Sequence, residues 1–144
     1  MEAHNIIQEE AHFLEGIKKW REMEDLTIEH SGKIIDATDN VLVKTIAGLI
    51  KSDSETHKRV LDVIMETLNG TITLTPEDLG NISGLLDEHM RIERDSYTLG
   101  MNEIEMCRNF VVRHLLSYLL ADEQKHYKLL SQMNDFKRHL YPYA

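Results

Sequence analysis

The stretch LLADEQKHYKLL, Leu119 to Leu130, decides the fold. Its apolar residues keep helical spacing, and Glu123 and His126 stand three apart, so both occupy one face of a helix. Leu119, Asp122, Glu123, His126, Leu129 and Met133 share that face, which puts an acid and an imidazole inside a stripe expected to be buried. Burying either without a partner is costly. A Glu-x-x-His pair projecting into a helical bundle is how two-metal carboxylate sites are built, because an ionised carboxylate and a neutral imidazole suit iron, manganese or zinc. Taken alone, the pair also fits a solvated Glu beside a histidine at the polar edge.

The 144 residues, 42% of them hydrophobic, suffice for one domain with a real core, expected to span residues 1–144. Two prolines and few aromatic residues favour an all-α chain over a sheet protein. A formal charge of −9 argues against a nucleic-acid or anionic-membrane surface and points to cations as the small partners. Cys107 is the only cysteine, which excludes an internal disulfide, a cysteine-ligated iron centre and a zinc knuckle. That usage fits a reducing, cytoplasmic location. The start MEAHNIIQEE lacks the pattern of a leader, and the most apolar run, FVVRHLLSYLLA, is broken by Arg113 and His114, so no membrane segment is expected.

Apolar residues recur at three and four from about Ala3 to Ile35, which predicts one long helix. Asp36, Thr38 and Asp39 are expected N-caps for a second helix reaching about Leu68, where Asn69 and Gly70 stop it. TITLTP, Thr71 to Pro76, reads as an extended connector. Thr75 to Asp78 carry a helix-start signal that Gly80 and Gly84 could reduce to a short turn before the main third helix, about Asn81 to Met106. A break near Arg108 and Asn109 precedes a fourth helix, about Phe110 to Leu140, and Tyr141 and Pro142 close the chain.

Sliding the sequence by 69 residues lays Ile17–Ile64 on Leu86–Met133 without a gap. The identities include Glu24 on Glu93, Asn40 on Asn109, Asp53 on Asp122 and His57 on His126. Two helical hairpins therefore carry an acid and a histidine at matching positions. Each acid and its histidine lie about 25 Å from their turn at 1.5 Å per residue, so the pair shares one height. All four can meet in one layer.

With these residues in place, the chain resembles the ferritin-like, rubrerythrin-like superfamily of di-metal four-helix proteins over residues 5 to 140. The resemblance implies a bundle of two duplicated hairpins, about 3–69 and 81–140, joined by a crossover at 70–80. It implies Glu24 and Glu93 as terminal ligands, His57 and His126 as nitrogen ligands, and Glu123 as a bridging carboxylate. At the other bridging position the family has Glu and this chain has Ser54. Three carboxylates leave two divalent ions with one excess positive charge. Asp53, four residues before His57, is a candidate replacement, and His89, four before Glu93, is either a further nitrogen ligand or a hydrogen-bonded core histidine. Tyr97 either orients a carboxylate or packs. His4, His12, His30, His114 and His139 are expected on the surface.

The resemblance implies iron, as one or two ions, with manganese or zinc as alternatives, reacting with dioxygen or peroxide. A homodimer is expected, and the missing cysteine pairs require an external electron donor for any redox cycle. The competing expectation is a degenerate bundle, metal-free or with a single metal, that serves as a structural or interaction module.

Overall fold

The structure, a computed structural model, describes residues 2–140. Its regular elements are α1 (Glu2–Asp36), α2 (Val41–Leu68), α3 (Pro76–Gly80), α4 (Ser83–Met106) and α5 (Phe110–Leu140), with no strand among the described residues. The chain divides into two compact units, Met1–Thr73 and Leu74–Ala144. Tyr141 and Pro142 lie outside the described residues, as do the side chains of His4 and His139.

In the first unit α1 and α2 form an antiparallel hairpin. Arg21 pairs with Asp62 and Glu24 with His57, so partners descend along α2 as residues rise along α1, and Asp25 pairs with Lys58 beside them. Arg21 grips Asp62 with two donors, Nε at 2.7 Å and Nη2 at 3.3 Å. The seam follows a seven-residue spacing, the repeat that keeps one line of a helix against its neighbour. Ile17, Glu24 and Ser31 are buried from α1, and Ala47, Ser54 and Leu61 from α2. Half of this seam is polar, while Phe13, Trp20, Met23, Ile46 and Ile50 remain exposed.

The turn differs in one detail from expectation. Asn40, rather than Asp36, Thr38 or Asp39, caps α2: its backbone is extended and its side chain accepts the Val43 N–H at 3.1 Å. Thr38 serves the turn instead, its hydroxyl accepting the Asn40 N–H at 3.1 Å. At the far end Gly70 adopts φ +83, a left-handed conformation that glycine enters without a Cβ penalty, which stops α2.

The second unit opens with α3. Thr75 and Asp78 satisfy each other's backbone N–H groups in a capping box, with Pro76 in the first turn. The start signal at Thr75 thus makes a separate five-residue helix, held by buried Leu79, and α4 begins at Ser83 rather than near Asn81. The break before α5 is built by Asn109, whose side chain accepts the N–H groups of Val111 at 3.0 Å and Val112 at 3.1 Å. Arg113 closes the corner by donating to the carbonyls of Ile104 and Cys107.

Helices α4 and α5 are antiparallel: Met90 meets Asn134, Glu93 meets His126 and Tyr97 meets Gln124. Leu86, Glu93, Leu120 and Leu130 are buried in this seam. The helices approach closely at Gly100, where a Cβ would stand 2.7 Å from Leu120 Cδ2. Among the described residues no helix is long and apolar enough to cross a membrane.

Candidate metal centre

Glu93 lies near the middle of α4 on the seam with α5, and only 9% of its side chain is exposed. Its Oε1 is 3.0 Å from His89 Nε2, one turn earlier on α4, and 3.5 Å from His126 Nδ1 on α5. Its Oε2 is buried and finds no hydrogen-bond partner among the described residues. Ligand atoms of Glu93, Glu123 and His126 all lie within 4.8 Å of one another.

Two carboxylates this close cannot both ionise freely. Glu123 can bond to Glu93 only while one of the pair holds a proton. That shared bond holds Glu93 below the usual carboxylate range, with further help from His89 and His126. The same bond raises Glu123, and burial and the Glu93 charge push it the same way. A divalent cation would replace the proton and satisfy the buried Oε2, so the donor set fits a metal.

The first hairpin repeats the arrangement with different chemistry. Trp20, one turn before Glu24, donates its indole N–H to Oε1 at 3.1 Å, and His57 Nδ1 lies 3.1 Å from the same oxygen. Ser54, which the 69-residue shift lays on Glu123, gives a hydroxyl hydrogen bond to Glu24. Burial works to raise Glu24, yet the bonds from Ser54, Trp20 and His57 outweigh it and hold the acid below its ordinary value. Each contact to Glu93 thus has a counterpart at Glu24, but the counterparts of Glu123 and His89 are the neutral donors Ser54 and Trp20.

The structure therefore brings Glu93, Glu123 and His126 together in one hairpin and Glu24 with His57 in the other. His89 is hydrogen-bonded, as one reading of the sequence had it, but 58% of its side chain is exposed, so it is not a core residue. Asp53 is partly exposed and is not among the groups bonded to Glu24. Its counterpart Asp122 pairs with Lys125 at 3.1 Å. The Tyr97 hydroxyl accepts the Gln124 amide at 3.1 Å, and His12, His30 and His114 are exposed.

Trp20 is the participant that the sequence reading missed. The signal was present, because the same shift lays Trp20 on His89. A cleft of about 300 Å³ reaches Glu93 and Glu123 between Arg94, Tyr97, Gln124 and Tyr127. The Arg94 guanidinium lies 5.9 Å from the Tyr127 ring centroid, a cation–π distance.

No protein-family model matches the chain, and neither a curated protein nor a solved structure matches it.

Proposed function

We propose that the protein binds a divalent metal, iron first and manganese next, at Glu93, Glu123 and His126, and that the bound metal reacts with dioxygen or peroxide. The buried, unpartnered Glu93 Oε2 beside a second carboxylate carries this reading. Two carboxylates sharing a buried site are expensive to hold ionised together. Two carboxylates and an imidazole offset that cost when they share a cation.

Bound iron would supply the one-electron chemistry. The protein contributes charge through Glu93 and Glu123, a nitrogen ligand through His126, and orientation through His89, which bonds the Glu93 carboxylate. Such outer partners tune ligand basicity and position. The cleft between Tyr97 and Tyr127 offers a route for a small oxidant, and electrons must come from another molecule.

The reading carries the ferritin-like architecture with it. Hairpins that leave apolar residues exposed beside an acid and histidine cluster are parts from which a four-helix bundle is assembled. Satisfied hydrogen bonding around Glu24 favours a metal-free, structural role for the first hairpin's cluster.

The test is metal content after anaerobic loading with ferrous ion, measured on the wild type and on Glu93→Gln and Glu123→Gln. Bound iron in the wild type, lost in both variants, supports the reading. Wild-type protein that retains no iron, and shows no heat of binding with manganese, rejects it.

A further inference from the structure

The Glu93–Glu123–His126 set gives a single ion three ligand atoms, fewer than the four that even zinc takes, and His89 stands outside that 4.8 Å group. Leu85, Ile92 and Leu99 repeat every seven residues along α4 and are 67%, 51% and 62% exposed. On α5, Leu119 and Leu129 are each 53% exposed. Leu119 is one turn before Glu123, and Leu129 is one turn after His126. Because α4 and α5 are antiparallel, residues displaced to the same angular side of each seam position fall on one face of the hairpin. His89 and His126 precede and follow their acids by four and three residues, which sets them on the same side as these leucines. A face that is apolar apart from the Asp122–Lys125 ion pair therefore borders the imidazole edge of the site.

The occupant of that face must be apolar and must complete the ligand set without leaving net charge. The first hairpin's set supplies only one carboxylate, because Ser54 is neutral, and Glu24 is already bonded by three side chains. A second copy of the α4–α5 hairpin supplies two carboxylates and one imidazole. Two divalent ions then meet four carboxylates and the charge closes. A two-fold axis also asks only for a self-complementary patch, and an apolar stripe is one.

We infer that two copies of the chain pair through the α4–α5 face containing Leu85, Ile92, Leu99, Leu119 and Leu129, bringing two Glu93–Glu123–His126 sets together around a pair of divalent ions. This rests on the metal-binding reading. The bridging Glu that the first hairpin lacks is supplied by Glu123 of the second copy, so Ser54 leaves no ligand missing.

The experiment uses the full chain with Mn²⁺ as the probe, read by sedimentation velocity and electron paramagnetic resonance. The expected result is a dimer with one ion per chain and an exchange-coupled spectrum, as ions about 3.5–4 Å apart give. Leu119→Arg should yield a helical monomer without the coupled spectrum. Ile92→Glu is the second variant should the first fail to fold. Glu24→Gln should leave the coupled spectrum in place. A coupled spectrum from monomeric protein, or its loss in Glu24→Gln, assigns ligands to the first hairpin and overturns the inference while the metal reading stands. A dimer with only the uncoupled spectrum also overturns it. A dimer that binds no manganese rejects the metal reading and the ion pair with it.

Discussion

Ser54 and Glu123 occupy the same position against the buried acid of their hairpins, but only Ser54 brings it a permanent donor. The Ser54 hydroxyl donates to Glu24 and helps hold it below its ordinary pKa, whereas Glu123 must share a proton with Glu93 and is itself raised. One cluster is complete as it stands. The other calls for a cation.

Exchanging these two residues should exchange the behaviour. Ser54→Glu places a second carboxylate beside Glu24 and is expected to raise bound metal by up to one ion per chain. Ser54 is 4% exposed, so the larger side chain should cost about 1–3 kcal/mol of metal-free stability. Glu123→Ser should abolish binding at the second hairpin. Metal content and urea unfolding of both variants decide the matter; unchanged stoichiometry in both would show that this position does not control binding.

In metal-free protein Glu123→Gln should stabilise the fold near neutral pH by about 1 kcal/mol, because an amide donates to Glu93 without needing a shared proton. The signs follow from the pKa directions. A raised Glu123 contributes stability below the ordinary carboxylate value, and that contribution is lost as pH rises through its raised folded value. The wild type should therefore lose stability over that rise, and the Gln variant should lose less. Urea midpoints measured across the rise would contradict this if the two proteins ran parallel.

Trp20 is the only tryptophan and reports directly on Glu24. The lowered pKa of Glu24 means its contribution is present above the ordinary carboxylate value and is lost as pH falls through the lower folded value. Trp20 emission should change across that lower window. In Glu24→Gln the acid-side transition should vanish. Trp20→Phe removes the indole donor and should cost about 0.5–1.5 kcal/mol, seen as a lower unfolding midpoint.

Gly100 tests the packing of the second hairpin. Gly100→Ala gains about 1 kcal/mol of helix propensity but sets a methyl 2.7 Å from buried Leu120, and overpacking typically costs about 1–3 kcal/mol. A net loss of about 1 kcal/mol is expected by thermal unfolding. A higher midpoint would show that Leu120 moves aside freely.

The sequence by itself determined the four long helices, the stop after Leu68, the break at Asn109 and the heights of the acids and histidines. These rest on local rules: the 3.6-residue period, the left-handed Gly70, the capping chemistry of Asn109, and the equal distances of Glu24 and His57 from their turn. Which of several adjacent cap formers would act was not decided locally, because Asp36, Thr38, Asp39 and Asn40 all have the chemistry, and the path of the turn selected Asn40. The 69-residue repeat showed that the hairpins match, but it did not tell which side chains reach each acid. Packing of α1 on α2 and of α4 on α5 decided that. Ser54 and Trp20 complete one carboxylate, while the other keeps a buried oxygen without a donor, since a carboxylate's state depends on the atoms within about 4 Å of it and those arrive from another helix.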